Sequence, residues 1–278
     1  MSQSGGISQL NVVPSDVAID FVTDSGTAVA SGHILNILGG SNASTSGSGN
    51  TITINSAFNP NKELTVVDDF ITNFNGVGYG SLIWAPLVVG VGVNPTNGTS
   101  THPGLLLVNT GYAGTVAGVV LSELSTENFA IGAGQISANF VLNLITLSTI
   151  GNRYTVYFGL TNNSSSVVGV PSEGVYFTYN DNINSGNWVR NCTAGGITTS
   201  VNTSIAATTS YVNLGMVINA AGTSVSFTIN GVSAGSAIVT NIPTASINPV
   251  FMWIKASGNL PASLIDLFYM KQTLTTAR

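Results

Sequence analysis

The stretch "NAAGTSVSFTINGVSAG", Asn219–Gly235, decides the reading of this chain. Val225, Phe227 and Ile229 alternate with Ser226 and Thr228, the period of two that puts one face of a strand toward a core and the other toward water. Asn230-Gly231 follows directly, and both central positions of a tight two-residue hairpin turn need positive φ, which Asn and Gly adopt at low cost. A second turn at Ala220–Thr223 precedes the strand, so the segment reads as a small antiparallel meander.

Working outward, the same signature recurs. "NTITI" (Asn50–Ile54), "RYTVYFGL" (Arg153–Leu160), "GVYFTYN" (Gly174–Asn180) and "VFMWIKA" (Val250–Ala256) are short alternating runs rich in β-branched and aromatic residues, bounded by turn formers. No sustained helical period occurs. Many short strands without helices predict an all-β antiparallel β-sandwich.

Composition narrows the function classes. Only 6% of the 278 residues are charged against 44% hydrophobic, and the six Lys and Arg under a net charge of -5 leave little to neutralise a nucleic acid or an anionic membrane surface. Few charges beside many apolar residues also differ from the low-hydrophobicity, high-charge signature of disorder. Cys192 has no second cysteine to pair with and reads as a small buried hydrophobe. The start "MSQSGGISQL" is polar with no basic residue before Lys62, so no export signal is expected. The most apolar segment, Leu82–Val93, is interrupted by Pro86, Gly90 and Gly92 and is too short to span a bilayer, so a soluble chain without membrane insertion is expected.

A composition change near residue 60 divides the chain into an N-terminal module, residues 1–60, and a C-terminal sandwich, residues 61–278. Residues 1–60 are dense in Gly, Ser and Asn, as in "GGSNASTSGSGNTITI" (Gly39–Ile54), with too few apolar positions for an independent core. Two readings fit: a flexible Gly/Ser linker between short strands, or a thin β module that buries its apolar face against copies of itself. The period of "NTITI" favours the second.

The segment Ile19–Ile54, through Asp24-Ser-Gly-Thr-Ala28, "LNILGG" and "TSGSGNTITI", resembles connecting or oligomerising modules of bacteriophage tail-fibre and related virion proteins. The second part is similar to concanavalin-like jelly-roll domains of phage virion proteins. That resemblance rests on Val67–Phe70, His102-Pro-Gly104, Gly174–Phe177, Trp188 with Gly195-Gly196, "GTSVSFTING", Ile242-Pro243 and the closing "IDLFYM", Ile265–Met270. It implies two packed antiparallel sheets with a lectin-like architecture, and by itself no sugar binding.

A search for catalytic chemistry finds a small inventory. A jelly-roll glycosidase needs two carboxylates on one strand face, and Glu63, Glu123, Glu127 and Glu173 supply no Glu-x-Asp or Glu-x-Glu pair. Asp68-Asp69 reads as a solvated strand start bonding local backbone, with calcium ligation the alternative. His33 and His102 lack neighbouring metal ligands, and no nucleophile elbow or phosphate loop is present. The expectation is a protein with no enzymatic activity, no metal and no cofactor.

Binding is better served. Tyr179, Asp181, Asn182, Asn184, Asn187 and Trp188 cluster in "TYNDNINSGNWVRN", Thr178–Asn191, and aromatic rings with Asn and Asp side chains suit a glycan. If any loop contacts a glycan it is this one, but the residues better fit a core tryptophan opening a strand and asparagines forming turns. The sequence therefore points to a phage virion protein, a tail fibre or receptor-binding protein contacting a host surface glycan. The alternative is a capsid decoration or head-fibre component with no receptor. A homotrimer, docking onto other virion proteins through residues 1–60, and assembly in the host cytoplasm complete the expectation.

Overall fold

A computed structural model describes residues 20–23, 26–29, 43–48, 51–56, 61–71, 79–89, 93–97, 104–109, 117–123, 129–162, 169–258 and 262–276. His33, His102, Glu127 and "LNILGG" lie outside these residues. The chain divides into two compact units, Met1–Asn59 and Pro60–Arg278. In the first, β1 (Asp20–Thr23) pairs with β2 (Gly26–Val29), and β3 (Ala43–Ser48) pairs with β4 (Thr51–Ser56), both antiparallel. Ala43–Ser48 of the Gly/Ser-rich stretch thus pairs with the strand that carries "TITI".

The second unit contains β5 (Glu63–Asp68), β6 (Trp84–Val89), β7 (Val93–Asn97), β8 (Leu106–Asn109), β9 (Ala117–Glu123), β10 (Gly134–Leu144), β11 (Tyr154–Thr161) and β12 (Gly174–Tyr179). There follow β13 (Asn187–Ala194), β14 (Ile197–Ala206), β15 (Val212–Ile218), β16 (Val225–Ile229), β17 (Val232–Ser233), β18 (Asn248–Lys255) and β19 (Ala262–Leu274). They form two antiparallel sheets. The seven-stranded sheet runs β14-β13-β12-β11-β18-β9-β6, and the eight-stranded one runs β17-β16-β15-β10-β19-β8-β7 with β5 also on β19. β10 beside β19 in one sheet and β11 beside β18 in the other mean that the chain crosses between sheets as a folded-over pair, the winding of a jelly roll. The all-β sandwich read from the sequence is the observed fold.

The hairpin that opened the sequence reading forms as expected. Asn230 and Gly231 have φ of 52° and 77° and join β16 to β17 with Ile229 opposite Val232. β10 buries every second residue, Ile136, Ala138, Phe140, Leu142 and Leu144, which is the alternation of a strand packed on one face. Rings lock the sheets together: Phe140 meets Phe251, Trp84 meets Phe268 and Phe177 meets Phe227, each at a centroid separation of 5.2 Å. Such edge-to-face pairs add about 0.5–1.5 kcal/mol each beyond the area they bury.

Asp68 corrects the sequence reading. It is only 2% exposed, not a solvated strand start. Its carboxylate accepts hydrogen bonds from the Phe70 N–H at 2.9 Å, the Leu82 N–H at 2.8 Å and the Trp84 indole N–H at 3.1 Å. Local bonding was anticipated, whereas the two bonds from residues fourteen and sixteen positions away bring the carboxylate inside. Gly80, at φ +69°, packs so closely that an added Cβ would lie 2.3 Å from the carboxylate.

Candidate functional site

Strand parity sorts the residues around Thr178–Asn191. Val175, Phe177 and Tyr179 of β12, and Trp188, Arg190 and Cys192 of β13, share the inward parity, leaving Tyr176, Thr178, Val189, Asn191 and Thr193 on the opposite face. Tyr179 and Trp188 are therefore core residues, 2% and 1% exposed. Trp188 sits among Phe158, Phe177 and Tyr179 at 6.4, 6.3 and 5.6 Å, and the Tyr179 hydroxyl accepts the Ser148 N–H at 3.0 Å. Neither ring offers a face for a sugar, which corrects the assignment of both as glycan contacts.

The remaining loop residues do structural work: the Asn182 N–H donates to Asn180 Oδ1 at 2.8 Å and the Asn187 N–H to the Asn184 carbonyl. Asp181 accepts two hydrogen bonds from Arg153, at 3.1 and 3.0 Å, and one from the Ser148 hydroxyl at 2.5 Å, and Arg153 lowers its carboxyl below the ordinary value. Asn184 spends its amide on the Trp188 and Thr203 carbonyls at 3.1 and 2.8 Å. It opens a turn, Asn184–Gly186, whose residues have φ of 50°, 55° and 79°, a left-handed conformation that Asn and Gly tolerate. Asn182 is exposed and Asn187 half-buried.

The outward face of the same strands carries a different constellation. Tyr157 of β11, Tyr176 and Thr178 of β12, Asn191 of β13 and Ser200 and Asn202 of β14 line a shallow cavity of about 270 Å³. Side chains link across it: the Ser200 hydroxyl donates to Asn191 Oδ1 at 2.7 Å, and Asn191 Nδ2 donates to the Thr178 hydroxyl at 3.0 Å. The Tyr176 and Thr193 hydroxyls share a 2.9 Å bond, and Thr193 continues to Thr198 at 2.8 Å. Asn191 and Thr178 form a floor only 4% and 6% exposed, while Thr198, Ser200 and Asn202 stand open to solvent. Burial, then the neighbouring Tyr176, pushes the Tyr157 phenol up to about 12, so it stays neutral at physiological pH.

The cavity lining contains no charged side chain; Val170, Ile183 and Val189 complete it, and Thr198, Ser200 and Asn202 present hydroxyl and carboxamide groups at its open side. Sequence reading missed it because Tyr176 and Thr178 meet Asn191, Ser200 and Asn202 only through the pairing of β12, β13 and β14. A usable signal was present in β14, where Thr198, Ser200 and Asn202 recur at every second position.

Among the described residues, no group of three or more His, Cys, Asp and Glu comes together as a metal site, and no helix is long and apolar enough to cross a membrane. No protein-family model matches the chain, and no curated protein sequence matches it. Solved structures with some likeness include one described by the dependence of botulinum neurotoxin type C cell entry on two ganglioside molecules, at 10% identity and a TM-score of 0.49. That match covers 76% of this chain and 48% of the other, so the chain spans about half the length of the neurotoxin structure. The Bacillus licheniformis β-glucanase gives 12% identity and a TM-score of 0.46 over 74% of this chain and 97% of its own. The binding domain of Paraclostridial Mosquitocidal Protein 1 gives 12% identity and a TM-score of 0.48 over 75% of this chain and 49% of its own. The sandwich assignment stands on the strand order itself.

Proposed function

We propose that the chain is a non-enzymatic recognition protein of a bacteriophage virion, a tail fibre or receptor-binding protein that holds a neutral host-surface glycan on the outer face of β11–β14. The observation that carries the reading is the uncharged lining of that face, where Tyr157, Thr178, Asn191, Ser200 and Asn202 surround one cavity. A neutral saccharide needs this chemistry: donors and acceptors for hydroxyls, an aromatic side chain at the margin, and no buried charge to desolvate.

The placement of the carboxylates supports a role without hydrolysis. Glu63 pairs with Lys271, Asp181 with Arg153, Asp68 is enclosed in the core and Glu173 accepts the Gly195 N–H, and none of them lines the cavity. The virion assignment rests on the sequence resemblance of Ile19–Ile54, with residues 1–60 as the segment that self-associates into a trimer and attaches to neighbouring virion proteins.

An adsorption assay tests the proposal. Host cells incubated with the purified chain should lose adsorption of the phage that encodes it, and the variant Thr198→Val/Ser200→Ala/Asn202→Ala, confined to exposed positions, should restore adsorption. Undiminished adsorption at saturating protein would overturn receptor contact and favour a structural virion component.

A further inference from the structure

Arg190 occupies an inward position of β13 and is 2% exposed, yet no carboxylate pairs with it among the described residues. Its Nη1 donates to the Ser236 carbonyl at 2.7 Å, its guanidinium carbon lies 5.9 Å from the centre of the Phe227 ring, and its Nε–H is buried with no acceptor. Cys192, two residues along the strand, supplies no counter-charge, because burial pushes its thiol up to about 12. A buried cation with an unmet donor is costly, and it is retained where an anion completes it.

Beside the guanidinium lies a cavity of about 320 Å³, bounded by Thr199 and Val201 of β14 and by Ser236–Thr240. That volume sits at the small end of ligand sites, about 300–1,000 Å³, and suits a single sugar ring. The Thr199 and Thr240 hydroxyls share a 2.8 Å hydrogen bond, Thr199 also accepts from Asn241 Nδ2 at 2.9 Å, and Val239 is 66% exposed at the rim.

We propose that this cavity is a carboxylate-binding site in which Arg190 receives the acid group of an acidic monosaccharide unit, with the exposed Thr240 hydroxyl within reach of its ring hydroxyls. The site is separate from the neutral face of β11–β14 and does not depend on it. A planar carboxylate matches the guanidinium fork and supplies the counter-charge that Arg190 lacks.

The test is an NMR titration of the full ¹⁵N-labelled chain, following the arginine Nε–H signals, with sodium glucuronate, sodium acetate, sodium phosphate and glucose as probes. The Arg190 signal is identified by its loss in Arg190→Lys. Glucuronate should shift it saturably and glucose should leave it unmoved. Acetate binding more weakly than glucuronate supports the saccharide source, and acetate binding equally supports a free carboxylic acid. Because Arg190→Lys could disturb the core, Val239→Glu serves as a second variant at an exposed rim position. Its tethered carboxylate should compete for the guanidinium and weaken glucuronate by at least about tenfold, the scale of losing a hydrogen-bonded charge contact. No saturable shift with either carboxylate, a response to phosphate alone, or equal shifts with glucuronate and glucose would overturn the proposal.

Discussion

Asp68 and Arg190 are equally buried, each 2% exposed, but their surroundings differ in kind. Three donors converge on the Asp68 carboxylate from its own turn, from Leu82 and from Trp84. Arg190 keeps one bond to Ser236 and an Nε–H with no acceptor. Both pack against a positive-φ glycine, Gly80 for the carboxylate and Gly235 for the guanidinium. The difference teaches that burial alone does not reveal a charge's role: a satisfied charge fastens the fold, whereas an unsatisfied one beside a cavity has room for a ligand.

Removing each charge should break the symmetry most sharply. Asp68→Ala leaves the Leu82 and Trp84 donors unpaired in the core and should cost about 3–5 kcal/mol. Arg190→Met replaces an uncompensated cation with an apolar chain of similar length and should stay within about 1 kcal/mol of the parent. Urea unfolding of both variants measures this directly, and equal losses would end the distinction.

The two glycines give a smaller contrast. An added Cβ at Gly80 meets the fixed carboxylate at 2.3 Å, while at Gly235 it meets the end of the guanidinium at 2.8 Å. Gly80→Ala should therefore cost about 3 kcal/mol and Gly235→Ala about 1–2 kcal/mol, both including backbone strain. Thermal midpoints would resolve the order.

Asp181 provides the smallest effect and a third kind of charge, one paired at the surface. Arg153 lowers its folded-state pKa, so folding favours the ionised form. The resulting stability is complete above the unfolded value of about 3.9 and is lost as pH falls through the folded value. Asp181→Asn should be the less stable protein at pH 7 and should converge with the parent near pH 2, as urea midpoints at the two pH values would show.

Local patterns were legible in the sequence and long-range ones were not. The Asn230-Gly231 turn and the β16 alternation need only neighbouring residues, and both were read correctly. Trp188 opens an alternating strand, but alternation does not say which parity faces the core, so its burial waits on the opposite sheet. Leu82 and Trp84, which reach Asp68, and Ser236, which reaches Arg190, lie 14 to 46 positions away, and only the folded topology brings them together. The outer cavity likewise gathers residues from four strands, and the polar alternation of β14 alone does not say which neighbours complete it.

β19 fills the middle of the eight-stranded sheet, pairing β10 on one edge and sharing the other between β8 and β5. Ser137 and Lys271, opposite each other in that pairing, are 134 residues apart. At about 5–20 residues per second of synthesis, the ribosome delivers the second on the order of ten seconds after the first. Through that interval the inner edge of β10 waits unpaired in a nascent chain with little charge to repel its neighbours, so the sandwich closes late, and protecting that edge becomes the decisive demand on the cell that makes it.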